Sequence, residues 1–367
     1  MRLAKLLGIA LLSTVLLWAP FVLRWPSFWG IDLPRNGMLV VKANYDGPLY
    51  IVVAKTFYNF SNGNKFEFPL SNQYYSAHFP LYPSLIRLMS WLRYDNSMII
   101  VTLLGSVLAT AVVYFMGRER LGDEKSFWIT VVFLFFPARY FVLRSVGSPE
   151  PWFMAFILAS VWSFTKKRYW LAGIFGALAT ITKSPGILLF VSYATYLFTN
   201  WRKVGHYSKV LPLLLIPLAL LSVFLLYGAN YHDFWAYFHS GDNIHLQSLP
   251  FRIFNSSQPW VGTHWLEDVI WIYLAGLLGL STLIDQKRWE EAIFVGVYLG
   301  TIFFVSHRDI ARYSLPIFPL ILLSWGDIVS QKRYRWVWGV LILAIFVYSV
   351  NFMVGNTMPI SNWGLLE

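Results

Sequence analysis

Residues 150–187 read EPWFMAFILASVWSFTKKRYWLAGIFGALATITKSPGI, and this stretch carries the pattern that decides the fold. Two apolar runs, 150–165 and 169–183, flank the short basic sequence KKR at 166–168. An apolar run of about this length with basic residues at one end is typical of a helix that crosses a membrane. The same alternation of apolar runs and short basic loops continues in both directions along the chain.

The composition of the whole chain agrees with this pattern. Of its 367 residues, 57% are hydrophobic and 13% are charged, and the mean hydropathy is +0.54. Soluble domains are about a quarter charged, so these values indicate a polytopic membrane protein. The 18 tryptophans favour the same class, because Trp and Tyr concentrate at membrane–water interfaces.

We predict an all-α protein with about eleven transmembrane helices in a single integral membrane domain, residues 1–367. The predicted spans lie near residues 6–23, 97–116, 126–143, 150–165, 169–183, 185–199, 208–228, 265–284, 290–305, 313–329 and 335–354. The first run also resembles a secretory signal peptide. Trp18, Pro20 and Arg24 make a poor cleavage site, so we favour an uncleaved first helix.

Every second loop is short and basic, which predicts the orientation of the chain. These loops contain Arg118, Arg120 and Lys125; Lys166, Lys167 and Arg168; Arg202, Lys203 and Lys209; Lys287 and Arg288; and Lys332, Arg333 and Arg335. Basic loops stay on the cytoplasmic side, so the N-terminus is expected in the cytoplasm. This asymmetry also accounts for the net charge of +11 without a nucleic-acid partner.

The two long loops fall on the opposite, outer face. The first, 24–96, contains helix-compatible stretches at 45–60 and 80–93, and the second stretch has the pattern of an amphipathic helix lying in the interface. The other large outer loop, 229–264, is rich in His, Asn, Trp and Tyr. Residues able to do chemistry are therefore expected to gather on the outer face.

Two carboxylates stand at predicted helix starts on that face. Asp46 precedes Gly47-Pro48 and is read either as a general base or charge partner, or as the N-cap of the following helix. Glu150 suits the helix dipole in the first turn of its span, or it serves a site. Arg144 could pair with Glu150 or with an anionic ligand.

Three cations break the charge rule because they lie on the outer face. Lys183, in TKSPG, either extends its ammonium to the interface or meets a phosphate. Arg308 and Arg312, in SHRDIARY, are either surface charges or a clamp for an anionic headgroup. A group of outer cations at one end of a helical bundle is well suited to bind phosphate.

Cofactor chemistry finds little support in the sequence. There is no cysteine, and the histidines, including His78 and His307, lack metal-ligand spacing. No glycine-rich phosphate loop is present, so no nucleotide, metal or other cofactor is predicted.

Four short motifs, in this order, resemble those of the GT-C glycosyltransferases. Tyr45-Asp46 takes the place of a Trp-Asp pair, and HFPLYP at 78–83 is similar to an FFPLYP stretch. TKSPG at 182–186 and ARYSLPIFP at 311–319 match a T-[KR]-x-x-G turn and an R-Y-x-x-P-x-[FY]-P segment. Within this superfamily, the chain most resembles the mannosyltransferase that adds the second mannose in GPI-anchor assembly, and its prokaryotic relatives. It departs from that group at Leu49 (often His) and Phe57 (Gly).

The resemblance implies a GT-C fold and an inverting transfer of a hexose, with mannose expected, from a polyprenyl phosphate to a lipid or glycan acceptor. It implies that Asp46 is the general base and that Glu150 orients the acceptor. Lys183, Arg308 and Arg312 would bind the donor phosphate. Substrate contacts are expected from Tyr45, Tyr50, His78, Tyr82 and His307.

The implied location is a prokaryotic plasma membrane or the endoplasmic reticulum membrane, with the site on the outer or lumenal face. Membrane lipids, the donor and the acceptor are the expected partners. Two alternatives remain open at this stage: a lipid or glycan transporter or flippase, and a non-catalytic subunit of a glycosylation complex. The absence of an internal repeat argues against a transporter.

Overall fold

The structure is a computed structural model, and it describes residues 1–61, 66, 68–200, 207–255, 257 and 266–367. The basic residues Arg202 and Lys203 and the last part of loop 229–264 lie outside the described residues. The described chain is mostly helical, with one short β-hairpin.

The first ten α-helices are α1 Arg2–Val22, α2 Leu39–Lys42, α3 Gly47–Thr56, α4 Leu81–Leu88, α5 Tyr94–Leu121, α6 Asp123–Phe135, α7 Ala138–Leu143, α8 Glu150–Thr165, α9 Tyr169–Thr182 and α10 Leu188–Thr199. The later ones are α11 Leu215–Tyr231, α12 Ala236–His239, α13 Glu267–Asp285, α14 Trp289–Phe303, α15 Ile310–Tyr313, α16 Phe318–Ser324, α17 Gly326–Val329 and α18 Arg335–Gly355.

Shorter elements join these helices. Two strands, β1 Ser27–Phe28 and β2 Ile31–Asp32, form an antiparallel hairpin in which Ser27 faces Asp32 and Phe28 faces Ile31. Turns of 3₁₀-helix cover Asn72–Ala77, Ser90–Leu92, Ser184–Ile187, Tyr207–Leu214, Arg252–Phe254, Leu315–Ile317, Lys332–Tyr334 and Trp363–Leu365.

Within the described residues, each of the eleven predicted spans coincides with a helix or with consecutive helices. Five segments are long and apolar enough to cross a membrane: Arg2–Val22, Tyr94–Leu121, Ser208–Tyr231, Glu267–Asp285 and Lys332–Gly355. Shorter apolar helices cover Tyr169–Thr182, Ser184–Thr199 and Ile310–Ser324. The predicted all-α polytopic membrane architecture is therefore confirmed.

Two predicted spans are interrupted by proline. The run 126–143 divides into α6 and α7 at Pro137, and the run 313–329 divides into α15, a 3₁₀ turn, α16 and α17 around Pro316 and Pro319. Proline has no N–H group to continue a helix, and its ring crowds the preceding turn. These breaks matter for the site, because α7 and α15 carry two of its arginines.

Helix α8 is the central helix of the bundle. It packs against α5 and α9, and α9 packs against α11. Its side chains are buried on nearly every side between Phe153 and Val161. The first residue of α8, Glu150, therefore lies at the centre of one end of the bundle.

The first loop contains the two predicted helices, with one difference. Helix α3 lies within the expected stretch 45–60 and ends at Phe57. Phe57 has φ +48°, a backbone region that favours glycine, which is the residue of the resembling motif at this position.

The second helix of this loop is shorter than predicted and buries a different face. Residues 80–93 divide into α4 and the turn Ser90–Leu92. The recurrence of Leu81, Leu85, Leu88, Met89 and Leu92 in the sequence predicts one apolar face for this helix. In the structure Tyr82, Pro83 and Ile86 are buried, whereas Leu88 is 70% exposed. The outward apolar surface formed by Leu88 and Trp91 suits contact with lipid, so an interfacial position remains our prediction.

Arg144 does not pair with Glu150, contrary to one sequence expectation. Its guanidinium is fully buried and donates to the carbonyl oxygens of Leu134 and Ala10 and to the hydroxyl oxygens of Ser13 and Thr14, over 2.7–3.0 Å. These bonds join the region of α7 to α1. Arg144 therefore links helices inside the protein by hydrogen bonds and is not paired with Glu150.

Two glycines, one in α9 and one in α14, provide a matched test of the packing. A Cβ atom at Gly173 in α9 would stand 2.1 Å from the carbonyl oxygen of Pro212, whereas a Cβ at Gly300 in α14 would meet nothing within 4 Å. We expect Gly173→Ala to destabilise the protein by about 1–3 kcal/mol, because α9 must move away from backbone atoms. Gly300→Ala should leave stability unchanged or slightly raised.

The measurement is the apparent unfolding temperature of both variants in the same detergent at one scan rate. Equal temperatures for Gly173→Ala and wild type would show that α9 and the segment around Pro212 are not in close contact.

Candidate active site

A large polar cavity opens at the end of the bundle where α8 begins. Its volume is about 830 Å³. The walls come from segments far apart in the sequence: residues 45–50, 74–78, 183–185, 237–244, 307–313 and 351–359, together with Arg139, Leu266 and Asp268. Most of the predicted site residues lie on these walls, so the structure brings together groups that the sequence keeps apart.

Asp46 stands on the cavity wall at the start of α3. It occupies the N-cap position, but its side chain makes no capping hydrogen bond. Its Oδ2 instead accepts a bond from Nη1 of Arg312 at 3.1 Å, while 28% of the side chain remains exposed. Of the two interpretations left open by the sequence, the geometry favours the charge partner, because the carboxylate is both anchored and accessible.

Arg312 joins the two carboxylates. Besides its bond to Asp46, its Nε donates to Oε1 of Glu150 at 2.5 Å, and its guanidinium lies 4.9 Å from the centre of the Tyr45 ring. Burial alone would lower the pKa of Arg312, but the two carboxylates outweigh it and raise this pKa well above its usual value. The guanidinium is therefore a permanent charge in the wall.

Glu150 lies behind the cavity wall. Only 3% of its side chain is exposed, and Oε1 also accepts from Nζ of Lys183 at 2.8 Å. The hydroxyl of Ser148 completes its set of partners. Because Glu150 is enclosed by these groups, its position favours holding the two cations over the predicted orientation of an acceptor.

Asp46, Arg312, Glu150 and Lys183 thus form one continuous set of ion pairs, which we call the ion-pair chain. Lys183, directly after α9, is paired with Glu150 and lines the cavity, with 17% of its side chain exposed. Arg308 differs from the other predicted cations, because it lies exposed at the cavity rim, outside this chain.

A second ion pair in the cavity was missed by the sequence reasoning. Nη2 of Arg139 lies 3.2 Å from Oδ1 of Asp309, and Nη1 donates to the Tyr45 hydroxyl at 2.9 Å. The guanidinium also lies over the Phe352 ring, 4.0 Å from its centre. The available signal was an arginine inside a predicted span, 126–143, which by default marks a functional site.

Aromatic and histidine side chains cover another part of the wall. The rings of Tyr50 and His78 meet edge to face with centres 4.7 Å apart, and His307 stacks on His245 at 5.3 Å. Burial lowers the pKa of both His78 and His307 below the usual histidine value, so both imidazoles are kept neutral near pH 7.

Tyr82 is the predicted substrate contact that the structure does not support. Its side chain is fully buried, outside the residues that line the cavity. Its hydroxyl bonds the carbonyl oxygen of Met98 at 3.0 Å and the hydroxyl of Thr102 at 2.6 Å. Tyr82 supports the ring of Tyr50 from behind, with centres 5.0 Å apart.

The segment after α18 holds the backbone that leads into Asp46. The N–H of Met358 donates to the carbonyl of Ala43 at 2.8 Å, and the N–H of Tyr45 donates to the carbonyl of Asn356 at 3.4 Å. Buried Asn44 adds a side-chain bond to the carbonyl of Met353 at 2.7 Å. Residues 353–358 therefore fix the position of the predicted base.

For metals, no group of three or more His, Asp or Glu side chains suited to hold an ion occurs within residues 1–61, 66, 68–200, 207–255, 257 and 266–367.

The central position of Glu150 in the ion-pair chain can be tested by mutation. Glu150→Gln leaves two buried cations without their shared charge, which costs about 3–5 kcal/mol when a buried pair is broken. We expect a clear fall in the apparent unfolding temperature, measured in detergent at constant pH. Glu267→Gln is the matched control, because Glu267 is an exposed acid at the start of α13. Equal effects of the two changes would contradict the structural role of Glu150.

Comparisons with known proteins place this geometry in a wider context. A family model described as dolichyl-phosphate-mannose-protein mannosyltransferase matches residues 77–227, which is less than half of the chain. No curated protein sequence shows significant similarity to the chain.

Solved structures give a likeness over almost the whole chain. The crystal structure of ArnT from Cupriavidus metallidurans bound to undecaprenyl phosphate has a TM-score of 0.55 at 12% identity, covering 93% of this chain and 64% of that one. Apo ArnT gives 0.54 at 13%, with coverages of 93% and 63%. AglB from Archaeoglobus fulgidus, an archaeal oligosaccharyltransferase in complex with an inhibitory peptide and a dolichol-phosphate, gives 0.50 at 14%, with 98% and 57%.

The chain spans less than two thirds of the length of each of these structures. At 12–14% identity the likeness concerns the fold. The chain therefore has the GT-C fold of polytopic membrane glycosyltransferases.

Proposed function

We propose that the protein is an inverting glycosyltransferase that moves a hexose from a polyprenyl-phosphate donor to a lipid or glycan acceptor. One observation carries the proposal: Asp46 is a partly exposed carboxylate on the wall of an 830 Å³ cavity, and Arg312 holds it in place. A general base must be both accessible and oriented, and this carboxylate is both.

The proposed reaction uses the groups described above. Asp46 accepts the proton of the acceptor hydroxyl, and the hydroxyl oxygen attacks the anomeric carbon of the donor sugar. The bond between this carbon and the phosphate oxygen breaks, and its electron pair leaves with the polyprenyl phosphate. Attack from the side opposite to the leaving group inverts the configuration at the anomeric carbon.

The leaving phosphate gains negative charge, so cations must lie where this charge develops. Lys183, Arg308 and Arg312 are the proposed phosphate ligands, and Arg139 is a further cation on the same cavity wall. Among the described residues, the bonds of Arg312 use Nε and Nη1, which leaves Nη2 for a phosphate oxygen. We propose that Glu150 holds the side chains of Arg312 and Lys183 in fixed positions.

The comparisons support a lipid-linked donor. One ArnT structure contains bound undecaprenyl phosphate, the AglB structure contains a dolichol-phosphate, and the matched family model is described as dolichyl-phosphate-mannose-protein mannosyltransferase. Mannose is accordingly our first choice of sugar. The kinship to the GPI second mannosyltransferase remains a prediction from the four motifs, and so does a lipid or glycan acceptor.

The assay for the proposed base compares Asp46→Asn with wild type. We expect transfer of mannose from purified polyprenyl-phosphate-mannose to membrane lipid or glycan acceptors to fall by about 10²–10⁴-fold, the usual contribution of a general base. Asp32→Asn serves as the control, because Asp32 is exposed in the hairpin of the same loop. Product is measured by mass spectrometry together with released polyprenyl phosphate.

Near-normal turnover of Asp46→Asn would remove Asp46 from the role of base. If wild type moved lipid or glycan across proteoliposomes without transferring sugar, a transporter or flippase would replace the enzyme. If sugar were transferred only by a larger complex, and equally fast when the complex contained wild type or Asp46→Asn, the protein would be a non-catalytic subunit.

The proposed orientation places the N-terminus in the cytoplasm and the cavity on the outer or lumenal face of a plasma membrane or endoplasmic reticulum membrane. The chain has no cysteine, so single cysteines can report the side of the membrane directly. A membrane-impermeant maleimide should label Ser27→Cys in intact cells or sealed lumen-out vesicles. Lys167→Cys should react only after permeabilisation. The reverse labelling pattern would place the cavity on the cytoplasmic face.

A further inference from the structure

The carboxylate of Asp242 on the cavity wall has no part in the reaction described above. Asp242 belongs to the loop after α12, lines the cavity, and keeps 34% of its side chain exposed. Nε2 of His245 lies 3.8 Å from its Oδ1, and Tyr74 lies on the same cavity wall. Because the side chain is only partly buried, its carboxylate oxygens remain accessible to a ligand in the cavity.

The backbone around Asp242 is firmly held. Gly241 has φ +80°, a value that glycine adopts without strain, and the N–H of Asp242 donates to Oγ of Ser240 at 3.2 Å. Two residues further on, the N–H of Ile244 donates to the Tyr237 hydroxyl at 3.1 Å. The carboxylate is therefore presented at a fixed position and not on a loose loop.

The loop is also attached to the far end of α14. Leu246 pairs with Val305 in an isolated antiparallel bridge, and the N–H of Ser306 donates to the carbonyl of His245 at 3.2 Å. These bonds fix the turn of Asp242 relative to the segment that leads into Arg312.

Asp242 and Asp46 border the same part of the cavity. Both carboxylates act electrostatically on His78 and on Tyr74, which lie on the cavity wall between the two loops. A ligand seated against His78 and Tyr74 is thus within reach of both acids. One acid is the proposed base, and the other is placed to hold the rest of the same ligand.

The groups on the cavity wall around Asp242 indicate which class of ligand binds there. A carboxylate repels phosphate, so the donor phosphate belongs with Lys183 and Arg312. A carboxylate accepts hydrogen bonds from two neighbouring hydroxyl groups, and an aromatic ring such as that of half-buried Tyr74 can pack against the C–H groups of a sugar. A neutral hexose linked to the phosphate and extending toward Asp242 would place the phosphate beside Lys183 and Arg312 and the sugar hydroxyl groups beside Asp242.

We propose that Asp242, supported by Tyr74, binds a pair of hydroxyl groups of the transferred hexose and so determines which donor sugar the protein uses. This inference rests on the proposed glycosyltransferase function and specifies the sugar-binding part of its site.

The test combines variants with altered donors. Wild type and Asp242→Asn are assayed with polyprenyl-phosphate-mannose and with its 2-, 3-, 4- and 6-deoxy analogues. For wild type, removing the hydroxyl that Asp242 binds should lower kcat/KM by about 10- to 100-fold, the value of a hydrogen bond to a charged group. For Asp242→Asn, kcat/KM with mannose should fall similarly, but the same deoxy donor should cost little more.

A matched control lies in the same loop. Asp233 also pairs with a histidine, Nδ1 of His239 at 2.7 Å, but it does not line the cavity. Asp233→Asn should keep the full discrimination of wild type among the deoxy donors. If Asp242→Asn folds poorly in a thermal-shift assay, Asp242→Glu replaces it, because this change keeps the negative charge but displaces the carboxylate by one methylene group.

The outcomes separate this proposal from the one on which it rests. Equal losses of kcat/KM for every donor in Asp242→Asn would show that Asp242 only holds the loop, and the sugar-binding proposal would be overturned while transfer by wild type still supported the enzyme. If wild type transferred none of these hexoses to any acceptor, both proposals would fail.

Discussion

The buried carboxylate of Glu150 is the constraint on which the rest of the site depends. A carboxylate with 3% exposure at the end of a central helix is stable only with cations beside it. Lys183 and Arg312 supply these charges, and Arg312 reaches on to Asp46. One desolvated acid thereby links α8, α9, α15 and the start of α3, and it fixes where the cavity has its positive charge.

This arrangement suits a reaction that separates charge next to a membrane. Groups that are fixed before the substrate arrives need little reorganisation when the phosphate leaves, and a low-dielectric wall strengthens their effect. Two parts of the cavity suit different ligand groups. Lys183 and Arg312 can bind an anion, whereas Asp242 is suited to a neutral polyhydroxyl group. The central packing of α8 supplies the rigid support that such placement requires.

The sequence predicted the helices well, because apolar runs and basic loops act locally. It also placed Asp46, Lys183 and Arg312 near one another through motif order. It could not predict that Tyr82 turns away from the cavity or that Arg139 pairs with Asp309, since these contacts depend on side-chain direction and on pairing across 170 residues of chain. Pro137 and Pro316 indicated in the sequence that the helices break there. They did not indicate how α7 and α15 are oriented at these breaks.

The contacts of residues 353–358 with residues 43–45 have a consequence for how the protein matures. Asn44 and Met353 are 309 residues apart, so the wall beside Asp46 closes only after nearly all of this chain has been inserted and the long loop has formed. Before that point, Gly47, the residue after Asp46, could already lie against Met98 and Gly147, but Asp46 would lack the supports from residues 353–358. The site would then become complete in a single late step of biogenesis, so that the membrane is not exposed to an Asp46 that lacks its supporting contacts.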